Sequence, residues 1–142
     1  MDLDEIFQNL ANFENDDDRF RFLYELGLML GPMRRELYCE ENRVHGCSSQ
    51  VWLQTFLSHD GGSPVLSFRG DSDSHIVRGL LTIVIGVYSG RRATEILELD
   101  PAPIFQAIGL GNQIASQRAN GIRALISRIQ KDARDLENTL SA

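Results

Sequence analysis

At 142 residues, 42% hydrophobic and 24% charged, the chain has the size and composition of one soluble globular domain, residues 1–142. Its formal charge of −6 argues against a nucleic-acid partner, whose phosphates it would repel overall. No apolar run is long enough to span a membrane, since Ile76 to Tyr88 is short and contains Arg78.

The acidic opening Met1-Asp2-Leu3-Asp4-Glu5 is the opposite of a secretion-signal n-region, so a cytoplasmic location is expected. Ile6, Leu10 and Phe13 recur at helical spacing and predict a short amphipathic helix. Asn15-Asp16-Asp17-Asp18 then reads as the capped, acidic start of a second helix, from about Asp17 to Leu30. Phe20, Leu23, Tyr24, Gly27 and Leu30 make its apolar face, and Gly31-Pro32 stops it. From Met33 to Glu41 the composition turns charged, as in a surface loop.

The next stretch, Arg43 to Leu57, is extended, breaks at Gly46, displays Cys47, and resumes as a run rich in β-branched and aromatic residues. Gln50 to His59 reads as a strand, Asp60-Gly61-Gly62 as a hairpin turn and Pro64 to Phe68 as the returning strand. With Arg43 to Gly46 as a further strand, the expectation is an α+β fold, a small antiparallel sheet of about three strands packed against helices.

Asp71-Ser72-Asp73-Ser74 is a cluster of capping residues, and a helix is expected from about Asp73 to Tyr88. It is apolar almost all round, which marks a central buried helix. Ala93 to Leu97 and Ile104 to Ile108 are short helical segments. Gly109-Leu110-Gly111 lacks a preceding strand and a full phosphate-binding fingerprint, so it predicts no nucleotide site. Ile122, Leu125, Ile126, Ile129, Ala133 and Leu136 define the last long helix, starting near Ser116 to Arg118, with a polar, frayed end from Asp135.

Cys39 and Cys47 are the two cysteines, and in a chain of this kind both read as free thiols. Cys47, on a turn between strands, is a candidate nucleophile; a buried structural thiol is the alternative. Cys39, His45 and Cys47, completed by His59 or His75, would make a four-ligand metal set, but the spacing matches no zinc arrangement and no metal is expected. No cofactor motif and no hydrolytic triad context is present.

Four stretches together resemble one family. Val44-x-Gly46-Cys47-x-Ser49-Gln50-Val51-Trp52 is similar to the cysteine-loop motif of the SufE family, sulfur acceptors of iron–sulfur cluster biogenesis. Leu26-Gly27 with Leu30, Gly70-Asp71-Ser72-Asp73 followed by Ile76-Val77-Arg78-Gly79-Leu80, and Arg118-Ala119-Asn120-Gly121-Ile122 match in the same order. Where the family has Ser-Pro or Thr-Pro, this chain has Ala115-Ser116, so a cap must fall on Ser116.

The resemblance implies a SufE/IscU-like fold and a persulfide carrier rather than an enzyme. Cys47 would take sulfane sulfur from a pyridoxal-phosphate cysteine desulfurase of the SufS or CsdA type, stimulate it, and pass the sulfur to a downstream iron–sulfur scaffold. The cofactor belongs to the partner. Gly46, Arg118, Asp71 and Asp73 are implied as supporting or partner-docking residues, and a homodimer stays open. The rival expectation is a metal or cluster scaffold of the IscU type, which would need several converging cysteines.

Overall fold

The computed structural model describes residues 2–46, 49–107 and 116–141, and the side chains within that range other than those at 60, 107, 116–119 and 141. Among them are six α-helices and one two-stranded antiparallel sheet. Cys47 and Gly109-Leu110-Gly111 lie outside the described residues, as does the side chain of Arg118.

Helix α1 (Leu3–Asn12) buries Ile6 and Leu10, and the Asp2 carboxylate caps it by accepting from the Glu5 N–H at 2.9 Å. Helix α2 (Asp16–Leu28) is capped the same way by Asn15, and its first turn carries Asp16, Asp17 and Asp18 against the positive end of the helix dipole. It ends two residues before the expected Leu30.

Strands β1 (Val51–Asp60) and β2 (Ser63–Ser72) pair in register from Val51 opposite Ser72 to Asp60 opposite Ser63. The two-residue turn is Gly61-Gly62, with φ of +60° and +91°. Two successive positive φ values match the right-handed twist of a hairpin, and only glycine takes both without strain. Strand β2 runs on past the expected Phe68 to Ser72, so Gly70, Asp71 and Ser72 belong to the sheet.

The sheet therefore has two strands and not about three. The expected strand at Arg43 to Gly46 contracts to a single bridge between Arg43 and Trp52, with the Val44 N–H donating to the Val51 carbonyl at 2.8 Å. The reason lies in the flanking bonds. A 3-10 turn at Glu40–Asn42 draws the Arg43 N–H back to the Glu40 carbonyl. Arg128 takes the Arg43 carbonyl, and Gly46 turns out of strand geometry with φ of +97°.

Helix α3 (His75–Tyr88) starts two residues later than expected. Ser74, and neither Asp71 nor Asp73, is its cap, accepting from the Val77 N–H. Leu80, Leu81, Ile83, Val84 and Tyr88 are buried in the core. Helix α2 crosses α3 at glycines from both sides. A Cβ on Gly79 would sit 2.1 Å from the Leu23 carbonyl oxygen, and one on Gly27 would sit 1.9 Å from that of His75. Backbone meets backbone there, which no larger residue allows.

Short helices α4 (Ala93–Glu98) and α5 (Ala102–Ala107) lead towards α6 (Ser116–Ser141). Ile122, Leu125, Ile126, Ile129 and Ala133 are buried, as their spacing predicts. The polar end expected to fray is helical to Ser141, with a Lys131–Asp135 ion pair at 2.8 Å and the Thr139 hydroxyl donating to the Asp135 carbonyl. Helix α3 lies on β2 and α6 on β1, so helices cover one face of the hairpin.

Candidate functional site

The segment from His45 to Gln50 is a loop with both ends fixed. At its base the Arg43–Trp52 bridge and the 2.8 Å bond from Val44 to Val51 close the chain on itself, and Val44 is buried. Its exit is tied to the start of α3. The Gln50 N–H donates to the Asp73 carboxylate at 3.0 Å, and the Asp73 N–H returns a bond to the Gln50 carbonyl at 3.3 Å. Asp73 is thus exposed as a residue and committed as an acceptor.

Gly46 packs on α6. A Cβ added to it would lie 3.3 Å from the Ala124 Cβ, in a backbone conformation that other residues rarely adopt. Cys47 follows at once, with Ser48, and both lie outside the described residues. Arg118 belongs by its backbone to the first turn of α6. Six residues of helix separate it from Ala124, about 9 Å along the axis. The described geometry thus brings Gly46 and Asp73 to the two ends of the loop, with α6 alongside.

Asp71 is elsewhere. It is 8% exposed, directly opposite Trp52 in the sheet register. The Tyr38 hydroxyl donates to its Oδ2, the Arg78 Nε lies 3.2 Å from its Oδ1, and the Ser72 N–H also donates to it. Arg78 reaches on to the Leu30 carbonyl, and the Tyr38 oxygen accepts from the Met33 N–H at 3.1 Å. This bonding raises the Tyr38 pKa above 10.0, chiefly because the proton it donates to the Asp71 carboxylate is held there, and secondly by burial. The Tyr38 ring stands edge-on to Trp52 at 5.2 Å, and the Arg43 guanidinium lies over the same indole at 5.6 Å.

Helix α6 holds the approach to the loop from the other side. The Arg128 guanidinium donates to the Glu41 carbonyl at 2.8 Å and to the Arg43 carbonyl at 3.4 Å, and it pairs with Asp132. Asp132 in turn accepts from the Thr55 hydroxyl on β1 at 2.6 Å. On the outside, His45 Nε2 lies 2.8 Å from a Glu40 carboxylate oxygen, both well exposed. Such a surface pair stabilises little.

Cys39 is half-buried, eight positions before Cys47, and the neighbouring thiol is the first cause that lowers the Glu41 pKa. Among the described residues no three His, Cys, Asp or Glu side chains converge as a metal-ligand set, and no helix is long and apolar enough to cross a membrane.

Tyr38, Arg78 and Arg128 escape a reading of the sequence. Arg78 carried the one usable signal, being the single charge inside an otherwise apolar helix. Such a charge needs a carboxylate partner close by. Nothing in the charged stretch around Tyr38 distinguishes it.

Residues 4–133 match the family model for SufE, the Fe-S metabolism associated domain. An uncharacterized SufE-like protein of Rhizobium etli is 46% identical over 132 residues, covering 93% of this chain and 89% of that one. One of Rhizobium meliloti is 47% identical over 131 residues, covering 92% and 94%. The solution structure of a hypothetical protein from Thermus thermophilus shares the fold, with a TM-score of 0.64 over 94% of this chain and 93% of that one, at 21% identity.

Proposed function

Since the chain belongs to the SufE family and so has a role in iron–sulfur metabolism, we propose that it is a sulfur acceptor working through Cys47. The observation that carries this reading is the frame of the loop, closed at its base and tied at its exit by Asp73, in a sequence that puts Cys47 directly after Gly46. A cysteine between two such fixed ends of chain suits receiving a group by nucleophilic attack and handing it on.

The donor in this reading is a cysteine desulfurase that holds a persulfide on its own cysteine. The Cys47 thiolate attacks the outer, sulfane sulfur. The sulfur–sulfur bond of the donor breaks, its cysteine leaves as thiolate, and a new sulfur–sulfur bond forms on Cys47. No net oxidation occurs, as in thiol–disulfide exchange. The pyridoxal phosphate stays with the desulfurase, and the sulfur passes from Cys47 to a scaffold of cluster assembly.

The attacking sulfur must be ionised, and a nearby cation lowers a thiol pKa. Arg118, at the start of the helix against which Gly46 packs, is the residue proposed for that work or for pairing with the partner. Desulfurase turnover with and without this protein tests the reading. Wild type and Cys39→Ser should stimulate alanine release, Arg118→Ala should stimulate less at unchanged melting temperature, and Cys47→Ser should not stimulate. Full stimulation by Cys47→Ser would refute the acceptor role.

A further inference from the structure

Resting on the acceptor reading, we infer that Tyr38 and Arg78 are positioning residues for sulfur transfer, acting through the Asp71 carboxylate on Trp52 and the base of the 45–50 loop. Three separate pieces of chain meet at that one carboxylate. Tyr38 brings the segment that leads into the loop, Arg78 brings α3, and through the Leu30 carbonyl Arg78 also brings the chain just beyond α2. Asp71 itself belongs to β2 and stands opposite Trp52. The phenol of Tyr38 therefore reaches past the indole to the residue paired with it, its ring edge-on to Trp52 at 5.2 Å.

Trp52 is held against Arg43 by the sheet bridge and by the guanidinium above its ring. Arg43 and Val44 begin the loop, and Val51 and Trp52 close it. Fixing Trp52 thus fixes the base of the 45–50 loop. Asp71 is 8% exposed, and its carboxylate accepts from the Tyr38 hydroxyl at Oδ2 and from the Ser72 N–H at Oδ1, with the Arg78 guanidinium beside Oδ1 as its ion partner. A polar junction of this kind is costly if partly satisfied and directional when complete. Apolar packing alone would allow the lead-in to slide, whereas these bonds specify one position.

Group transfer between two proteins is sensitive to such placement, because attack requires a near-linear approach to the donor sulfur and small displacements forfeit much of the rate. Tyr38 and Arg78 are given no part in the chemistry itself. Their effect is on where the loop stands.

The test compares wild type with Tyr38→Phe, which keeps the ring against Trp52 and removes only the hydroxyl. Three readouts are taken: single-turnover sulfur transfer from a persulfide-loaded desulfurase, alkylation of Cys47 by iodoacetamide, and amide exchange over residues 43–53. Tyr38→Phe should slow transfer about tenfold, as for a misplaced reacting group. Exchange across the loop base should quicken, and alkylation by the small reagent, which needs no docking geometry, should not fall.

Arg78→Lys, which keeps the charge but loses the fork that joins Asp71 to Leu30, should act in the same direction. Tyr38→Phe transferring sulfur at the wild-type rate would overturn the inference while leaving the acceptor reading intact. A fall in transfer and alkylation together, with a lowered melting temperature, would also overturn it, since that is general loosening. Wild type that takes up no sulfur would bring down both.

Discussion

The crossing of α2 on α3 and the frame around the 45–50 loop are both tightly specified, by opposite means. At the crossing, Gly27 and Gly79 let two backbones touch, and the neighbours Leu23, Leu26, Leu80 and Ile83 are buried hydrocarbon. At the loop frame, Asp71, Asp73, Tyr38, Arg78 and Arg128 hold the chain by hydrogen bonds and charge. Hydrocarbon burial contributes free energy in proportion to area with little direction. Hydrogen bonds contribute modestly in net terms but fix relative position. The crossing should therefore govern whether the protein folds, and the frame should govern whether the loop is aimed.

The sharpest way to break this division is at the crossing. In Gly79→Ala the new methyl would lie 2.1 Å from the Leu23 oxygen, so the helices must separate. The expected cost is roughly 3 kcal/mol or more, at the upper end for overpacking, read by urea melts. Sulfur uptake should fall only as far as the folded fraction does. A normal melt for this variant would remove the first half of the contrast.

Asp71→Ala comes next, and it sharpens the contrast because it touches both regions. It strands Arg78, whose side chain is 18% exposed, without its carboxylate. The expected loss is about 3 kcal/mol, and here, unlike Gly79→Ala, transfer should suffer beyond the loss of folded protein. Asp73→Ala should cost about 1 kcal/mol for the bond to the Gln50 N–H, with faster amide exchange confined to residues near 49–51 and 73–75.

How far these regions were legible in advance follows the same line. The helical faces at Ile6 and Leu10 and from Ile122 to Ala133 carried a periodicity that burial reproduces, because an apolar stripe has one way to hide, whereas on α2 only Leu23 and Gly27 of the expected face are buried and Tyr24 is exposed. The hairpin and its diglycine turn were legible for a comparable local reason. The third strand was not, because Arg43 to Gly46 has strand-like residues, but the Arg43 N–H is taken by the Glu40 carbonyl, the Arg43 carbonyl by Arg128, and Gly46 turns out of strand geometry. Asp71 and Asp73 look alike as capping residues, yet one is buried among Arg78 and Tyr38 and the other holds the loop. Local pattern reports propensity, whereas polar partners across 33 residues, as between Tyr38 and Asp71, leave no period to read.

The smallest expected effect concerns alkaline pH. Tyr38 has its pKa raised above 10.0 in the folded chain, first by donating to Asp71. A raised folded pKa means a contribution fully present below the unfolded value and lost as pH rises through the folded one. Wild type should therefore lose stability above about pH 10, and Tyr38→Phe should lack that component. Tyr88, also raised, chiefly by burial, is common to both proteins and cancels in the difference. Parallel melting curves for the two across that range would contradict the assigned bond.

The most direct test of the account is the location of the transferred sulfur. The protein is incubated with a cysteine desulfurase and cysteine, alkylated to trap persulfides, and analysed by intact mass and peptide mapping. The account predicts one added sulfur per chain, on the peptide containing Cys47, retained in Cys39→Ser and absent in Cys47→Ser. Sulfur found on Cys39, or uptake undiminished in Cys47→Ser, would contradict it.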